Sequence, residues 1–136
     1  MKVERVVIYA DGASRGNPGP AAVGATIKDE KGRLLTSVSR RIGRATNNQA
    51  EYKAIIAALE EAIKLGASEA SIYLDSELVV RQISGKYRVR NATLKPLYYQ
   101  VKKLQDLLKG FTITHIPRQQ NTGADNLANA ALRAGY

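Results

Sequence analysis

The stretch Val6-Val7-Ile8-Tyr9-Ala10-Asp11-Gly12-Ala13-Ser14-Arg15-Gly16-Asn17-Pro18-Gly19-Pro20 constrains the chain more than any other. Its apolar, β-branched start reads as a buried strand. The run stops on a carboxylate, Asp11, and a loop rich in glycine and proline follows at once. A second apolar run, Ala21 to Ile27, returns, most simply as an antiparallel partner. A strand is a rigid mount, and at its end a side chain is both fixed and reachable. Asp11 therefore stands where catalytic acids stand. The alternative is a turn residue bonded to its own backbone.

Taken onward, Arg33 to Arg41 continues the β pattern after a Lys31-Gly32 turn, which predicts a three-stranded antiparallel meander. Thr46-Asn47-Asn48 marks a helix start, and an alanine-rich helical repeat runs from Ala50 to Leu65 before Gly66 stops it. Ser71 to Asp75 is a short strand that again ends on an acid. Glu77 to Ile83 and Leu94 to Leu108 read as helices, the second with Pro96 in its first turn. Gly110 to Ile116 alternates as a strand, Pro117 to Gly123 is a loop, and Asp125 to Arg133 is a last helix. No repeat or linker divides the 136 residues, so the chain reads as one domain, residues 1–136. The element order predicts an α/β mixed sheet with helices on its faces.

The net charge of +9 favours a polyanionic partner, above all nucleic acid. The excess is concentrated: Arg81, Lys86, Arg88, Arg90, Lys95, Lys102, Lys103 and Lys109 face Asp106 alone between residues 81 and 110. Cysteine is absent, which excludes disulfides, thiolate metal sites and a thiol nucleophile. No apolar run approaches the roughly 20 residues of a membrane span, and Met1-Lys2-Val3-Glu4 has no signal-peptide pattern. The expectation is a cytoplasmic protein with no membrane partner.

Four acids recur at element ends or in first turns: Asp11, Glu51, Asp75 and Asp125. Each has an ordinary structural reading. Asn48-x-x-Glu51 fits a capping box, Thr122-x-x-Asp125 resembles one, and Asp75 could cap the helix after it. Together they read differently. If the two strands are neighbours, Asp11 and Asp75 sit side by side, and helix starts bring Glu51 and Asp125 to the same place. Converging carboxylates repel one another unless cations lie between them. Oxygen ligands suit Mg²⁺ or Mn²⁺, and a pair of such ions suits phosphodiester hydrolysis.

These residues carry a resemblance to the type 1 ribonuclease H family that covers nearly the whole chain. It rests on Asp11-Gly12-x-x-x-Gly16-Asn17-Pro18-Gly19, Thr46-Asn47-Asn48-x-x-Glu51, Asp75-Ser76, and Asn121-x-x-x-Asp125-x-Leu127-Ala128, in that order. The resemblance implies a five-stranded mixed sheet, its first three strands antiparallel, with helices on both faces. It implies a monomeric endonuclease that hydrolyses the RNA strand of RNA–DNA hybrids with Mg²⁺ or Mn²⁺, two ions with substrate bound. Asp11, Glu51, Asp75 and Asp125 would be the catalytic, metal-binding acids. Gly12, Asn17, Thr46, Asn47, Asn48 and Ser76 would line the substrate groove, where a ribose 2′-hydroxyl distinguishes RNA from DNA.

Two departures stand out. Many members carry a long basic, tryptophan-rich protrusion after the third acid. This chain has no tryptophan and only Lys86-Tyr87-Arg88-Val89-Arg90-Asn91 before the next helix. Hybrid grip would fall to Lys86, Arg88 and Arg90. Glu77 also stands where a polar, uncharged residue is common. His115 is the only histidine, and the family often places one before the last acid. The strand pattern keeps His115 inside the last strand, on the face of Phe111 and Ile113, at the packed face or its margin. His115 is thus a candidate auxiliary group, and Arg118, in the loop, reads as a substrate-binding cation for the scissile phosphate or the departing product. A nucleotide-binding glycine loop is disfavoured, since Gly16-Asn17-Pro18-Gly19 lacks a lysine and precedes a strand. A non-catalytic hybrid- or duplex-binding module and a nuclease of double-stranded RNA are the competing readings of the same fold.

Overall fold

The computed structural model describes residues 3–134. Five strands form one sheet in the order β3-β2-β1-β4-β5: β1 (Arg5–Ser14), β2 (Gly19–Lys28), β3 (Leu34–Ala45), β4 (Glu69–Leu74) and β5 (Gly110–His115). β1, β2 and β3 pair antiparallel, while β4 runs parallel to β1 and β5 parallel to β4. The helices are α1 (Asn47–Lys64), α2 (Glu77–Ile83), α3 (Lys95–Gln105) and α4 (Thr122–Ala134).

The two parallel crossovers place helical segments between strands, as parallel pairing requires. Val6, Ile8 and Ala10 of β1 join Ile72 and Leu74 of β4 and Ile55 and Leu59 of α1 in one buried core. α1 covers one sheet face and α4 the other. Two glycines on neighbouring strands let these helices approach. A Cβ on Gly12 would lie 2.2 Å from the backbone carbon of Ala50 in α1. One on Gly24 would lie 2.2 Å from the backbone oxygen of Ala124 in α4. Side chains at these points would push the helices off the sheet.

Several boundaries differ from the sequence reading. β1 does not stop at Asp11 but stays paired with β2 through Ser14, opposite Ala21. The strand survives Gly12 because the residue lies under α1, where the absent side chain is an advantage. The turn therefore shrinks, and β2 begins at Gly19 rather than Ala21. β3 runs on to Ala45, past a bulge opposite Ala21 and Ala22. α3 ends at Gln105, three residues short of the expected Leu108. The loop after β5 contains a 3₁₀ turn, Arg118–Gln120, and α4 starts earlier, at Thr122.

Candidate active site

The last rung of the β1–β4 ladder pairs Ala10 with Leu74. Asp11 and Asp75 each follow that rung, so the strand register alone sets them side by side. Asp11 lies opposite Gly24 on β2, the glycine that admits α4. Gly12 admits α1, whose first turns carry Glu51. The two close helix approaches thus deliver one acid from each face to the end of the β1–β4 seam.

Asp11, Glu51 and Asp75 present carboxylate oxygens that all lie within 4.8 Å of one another. Asp11 and Glu51 are buried and Asp75 is half-buried. Asp125 comes to the same cleft from α4. The four acids line one open cleft of about 420 Å³ together with Gly12, Asn47, Asn48, Ser76 and Arg118.

Neighbours have taken the capping duties that these acids might have served. The N-cap of α1 is Thr46, whose side chain accepts from the Gln49 amide, and Gln49 completes the capping box. Ser76, not Asp75, caps α2 by accepting from the Val79 amide. At α4 the Asp125 amide donates to the Asn121 carbonyl at 3.1 Å. The carboxylates are left for the cleft, with Glu51 fixed by accepting a hydrogen bond from the Gly12 amide.

The electrostatics are adverse without a counter-charge. Burial, then the Glu51 charge, holds the Asp11 carboxyl well above the usual range, and Asp125 and Asp75 add to the effect. Burial also raises Glu51; the Gly12 amide opposes this and the Asp75 charge reinforces it. All the converging donors are hard carboxylate oxygens. Such a set fits divalent cations of the Mg²⁺ and Mn²⁺ class, whose charge would offset the repulsion.

The Reverse transcriptase-like family model matches residues 9–131. A bifunctional protein of Mycobacterium tuberculosis is 47% identical over 131 residues, covering 96% of this chain and 36% of that protein. The chain thus spans about a third of the length of that relative. RNase H1 from the halophilic archaeon Halobacterium salinarum superposes with a TM-score of 0.94 at 44% identity, over 96% of this chain and 99% of that one. The chain belongs to the type 1 ribonuclease H family. LC11-RNase H1, solved with an RNA/DNA hybrid, superposes with a TM-score of 0.90 at 42% identity, over 95% of this chain and 97% of that one.

The groove flanking the acids is built from β1 and the start of α1. Asn47, Asn48, Ser76 and Gly12 line the cleft directly. Thr46 and Asn17 do not: the Thr46 hydroxyl is spent on its cap, and the Asn17 side-chain oxygen accepts from the Asn47 amide at 3.0 Å. Both brace the helix start. Lys86, Arg88 and Arg90 stand apart, beyond the far end of α2, around a second cleft. Arg118 lies at the acids, with Nη2 3.7 Å from Asp125 Oδ1. His115 shares its strand phase with Phe111 and Ile113, yet it is exposed where they are half-buried. It ends the strand, beyond the packed helices, and faces the charge of Glu77.

The sequence reading missed Asn121 as a site residue. It is fully buried, and its Nδ2 donates to the Ala10 carbonyl at 2.8 Å and to Asp75 Oδ2 at 3.3 Å. One amide thus ties the loop before α4 to β1 and orients the third acid. Its place in the last motif was the one signal in the sequence. Only its bond to a residue 46 positions away shows what it does.

Proposed function

We propose that this domain, residues 1–136, is a metal-dependent endonuclease that hydrolyses the RNA strand of RNA–DNA hybrids. The observation that carries the reading is the convergence of Asp11, Glu51, Asp75 and Asp125 at one seam of a ribonuclease H sheet. The likeness to a hybrid-bound RNase H1 supports the choice of substrate.

In this reading the four acids hold Mg²⁺ or Mn²⁺, two ions when substrate is bound. Such ions supply charge neutralisation at the scissile phosphate and acidify an attacking water. The chain's own residues do the rest. The Gly12 amide fixes Glu51, and Asn121 fixes Asp75, so the carboxylates need little reorganisation. Asn47, Asn48 and Ser76 offer donors and acceptors along the cleft for ribose hydroxyls and backbone. Arg118 presents a fixed cation to the phosphate or the departing product. Lys86, Arg88 and Arg90 hold phosphates at a distance from the cut. On this reading the protein acts as a monomer in the cytoplasm.

The test is cleavage of a labelled hybrid beside single-stranded RNA, duplex RNA and duplex DNA, with and without Mg²⁺ or Mn²⁺. Cutting of the RNA strand of the hybrid, only with metal, is the expected result. Cutting of duplex RNA at an equal rate would replace the substrate assignment, and binding without cutting would replace the hydrolase.

A further inference from the structure

The second cleft, about 900 Å³ and open, lies between the segment at 85–90 and the start of α3, and shares no residue with the carboxylate cleft. Lys86, Arg88, Arg90 and Lys95 line it, without an acid among the lining residues. None of these four cations forms a salt bridge among the described residues. Two aromatic rings stand among them in water: Tyr87 is 47% exposed and Tyr99 is 64% exposed.

The rings are held in place. The Arg81 guanidinium lies 5.4 Å from the Tyr87 ring centre. Arg81 is itself fixed by Glu77, whose Oε2 accepts from Nη2 at 2.9 Å and from Nε at 3.2 Å. The Tyr87 amide donates to the Arg81 carbonyl at 3.0 Å. Tyr99 is set edge-on to Tyr98, with ring centres 5.5 Å apart. Glu77 thereby braces Tyr87 through Arg81. Rings ordered in advance lose little entropy when a partner stacks on them.

Paired bases are stacked on one another and offer a side chain no free face, whereas an unpaired base offers one. Fixed rings among unpaired cations match a run of unpaired nucleotides, with bases on the rings and phosphates on the cations. We propose that this cleft binds single-stranded nucleic acid by stacking bases on Tyr87 and Tyr99. The rings would take base faces and the cations phosphates, features that DNA and RNA share, so both are expected to bind. α2, about 10 Å of helix, runs from Ser76 of the carboxylate cleft toward Gly85 of the second, the length of roughly three stacked nucleotides. A tail leaving a hybrid seated at the acids therefore reaches the rings; this last step rests on the hydrolase reading, but the binding itself does not.

The test is fluorescence anisotropy of labelled single-stranded DNA and RNA oligonucleotides with the whole protein in EDTA, beside cleavage of a blunt hybrid in Mg²⁺. Both oligonucleotides are expected to bind. Tyr87→Ala and Tyr99→Ala should each weaken binding about tenfold, the loss of one stacked base, with the salt slope unchanged. Tyr87→Phe and Tyr99→Phe should bind as wild type, and all four variants should cut blunt hybrid at the wild-type rate. Unchanged oligonucleotide affinity in the double alanine variant, shown folded by circular dichroism, would overturn the proposal. So would a tenfold preference for either sugar. Failure of the wild type to cut blunt hybrid while still binding oligonucleotides would sink the hydrolase reading and leave this one standing.

Discussion

Asp11 sits where its surroundings resist a carboxylate charge. It is buried beside three other acids, and the folded chain holds on it a proton that the unfolded chain releases. A carboxyl raised in the folded state contributes full stability only below its unfolded value. Without metal, stability should therefore fall as pH climbs above the ordinary carboxyl range. Asp11→Asn removes that cost. Its metal-free melting temperature at neutral pH should exceed that of the wild type by about 3 °C or more, with a flatter fall between about pH 5 and 8. Thermal melts in EDTA across that range check this; an unchanged pH profile would contradict it. Arg118 and His115 separate at the same scale. Arg118 reaches Asp125, while His115 faces Glu77 from an exposed strand end. Arg118→Ala should lower kcat about tenfold or more and His115→Ala much less, as single-turnover kinetics on one hybrid would show. A collapse in His115→Ala with a mild effect in Arg118→Ala would reverse the assignment.

At the scale of elements, the sequence revealed where helices and strands lie better than which residue caps them. The sequence pattern suggests Asn48-x-x-Glu51 as the capping box, but the box forms between Thr46 and Gln49. Thr46 wins because β3 runs on to Ala45, which fixes the extended backbone of Thr46 and puts Gln49 at the third helical position. Asp75 yields the α2 cap to Ser76 in the same way, by a single residue. Strand continuation past Asp11 was illegible for another reason. Gly12 signals a turn locally, and only the backbone of α1 above it explains a glycine within a strand. The segment after α2 was legible from its charge. Replacing Lys86, Arg88 and Arg90 together with alanine should raise KM for hybrid far more than it lowers kcat. The salt dependence of hybrid binding should become shallower by up to about three in slope, one for each phosphate left without its cation. Titrations at several salt concentrations measure this, and an unchanged slope would place the grip elsewhere.

Across the whole molecule, the site is a product of register and close packing. The four acids span Asp11 to Asp125 in sequence, and no local pattern ties them together. Parallel pairing of β1 with β4 aligns two of them, and Gly12 and Gly24 let α1 and α4 bring the others from opposite faces. The motifs made the acids legible one by one. The buried amide of Asn121 and the bracing by Glu77 were not, because each acts through a partner set by the tertiary fold. That the assembled acids bind divalent ions for hydrolysis is tested most directly by calorimetric titration of Mn²⁺ into the wild type and Asp11→Asn. The same two samples would be assayed for hybrid cleavage. The wild type should bind the ion and cut the RNA strand. Asp11→Asn should stay folded, bind the ion at least about tenfold more weakly, and lose cleavage. Wild-type ion binding and wild-type cleavage in Asp11→Asn would contradict it.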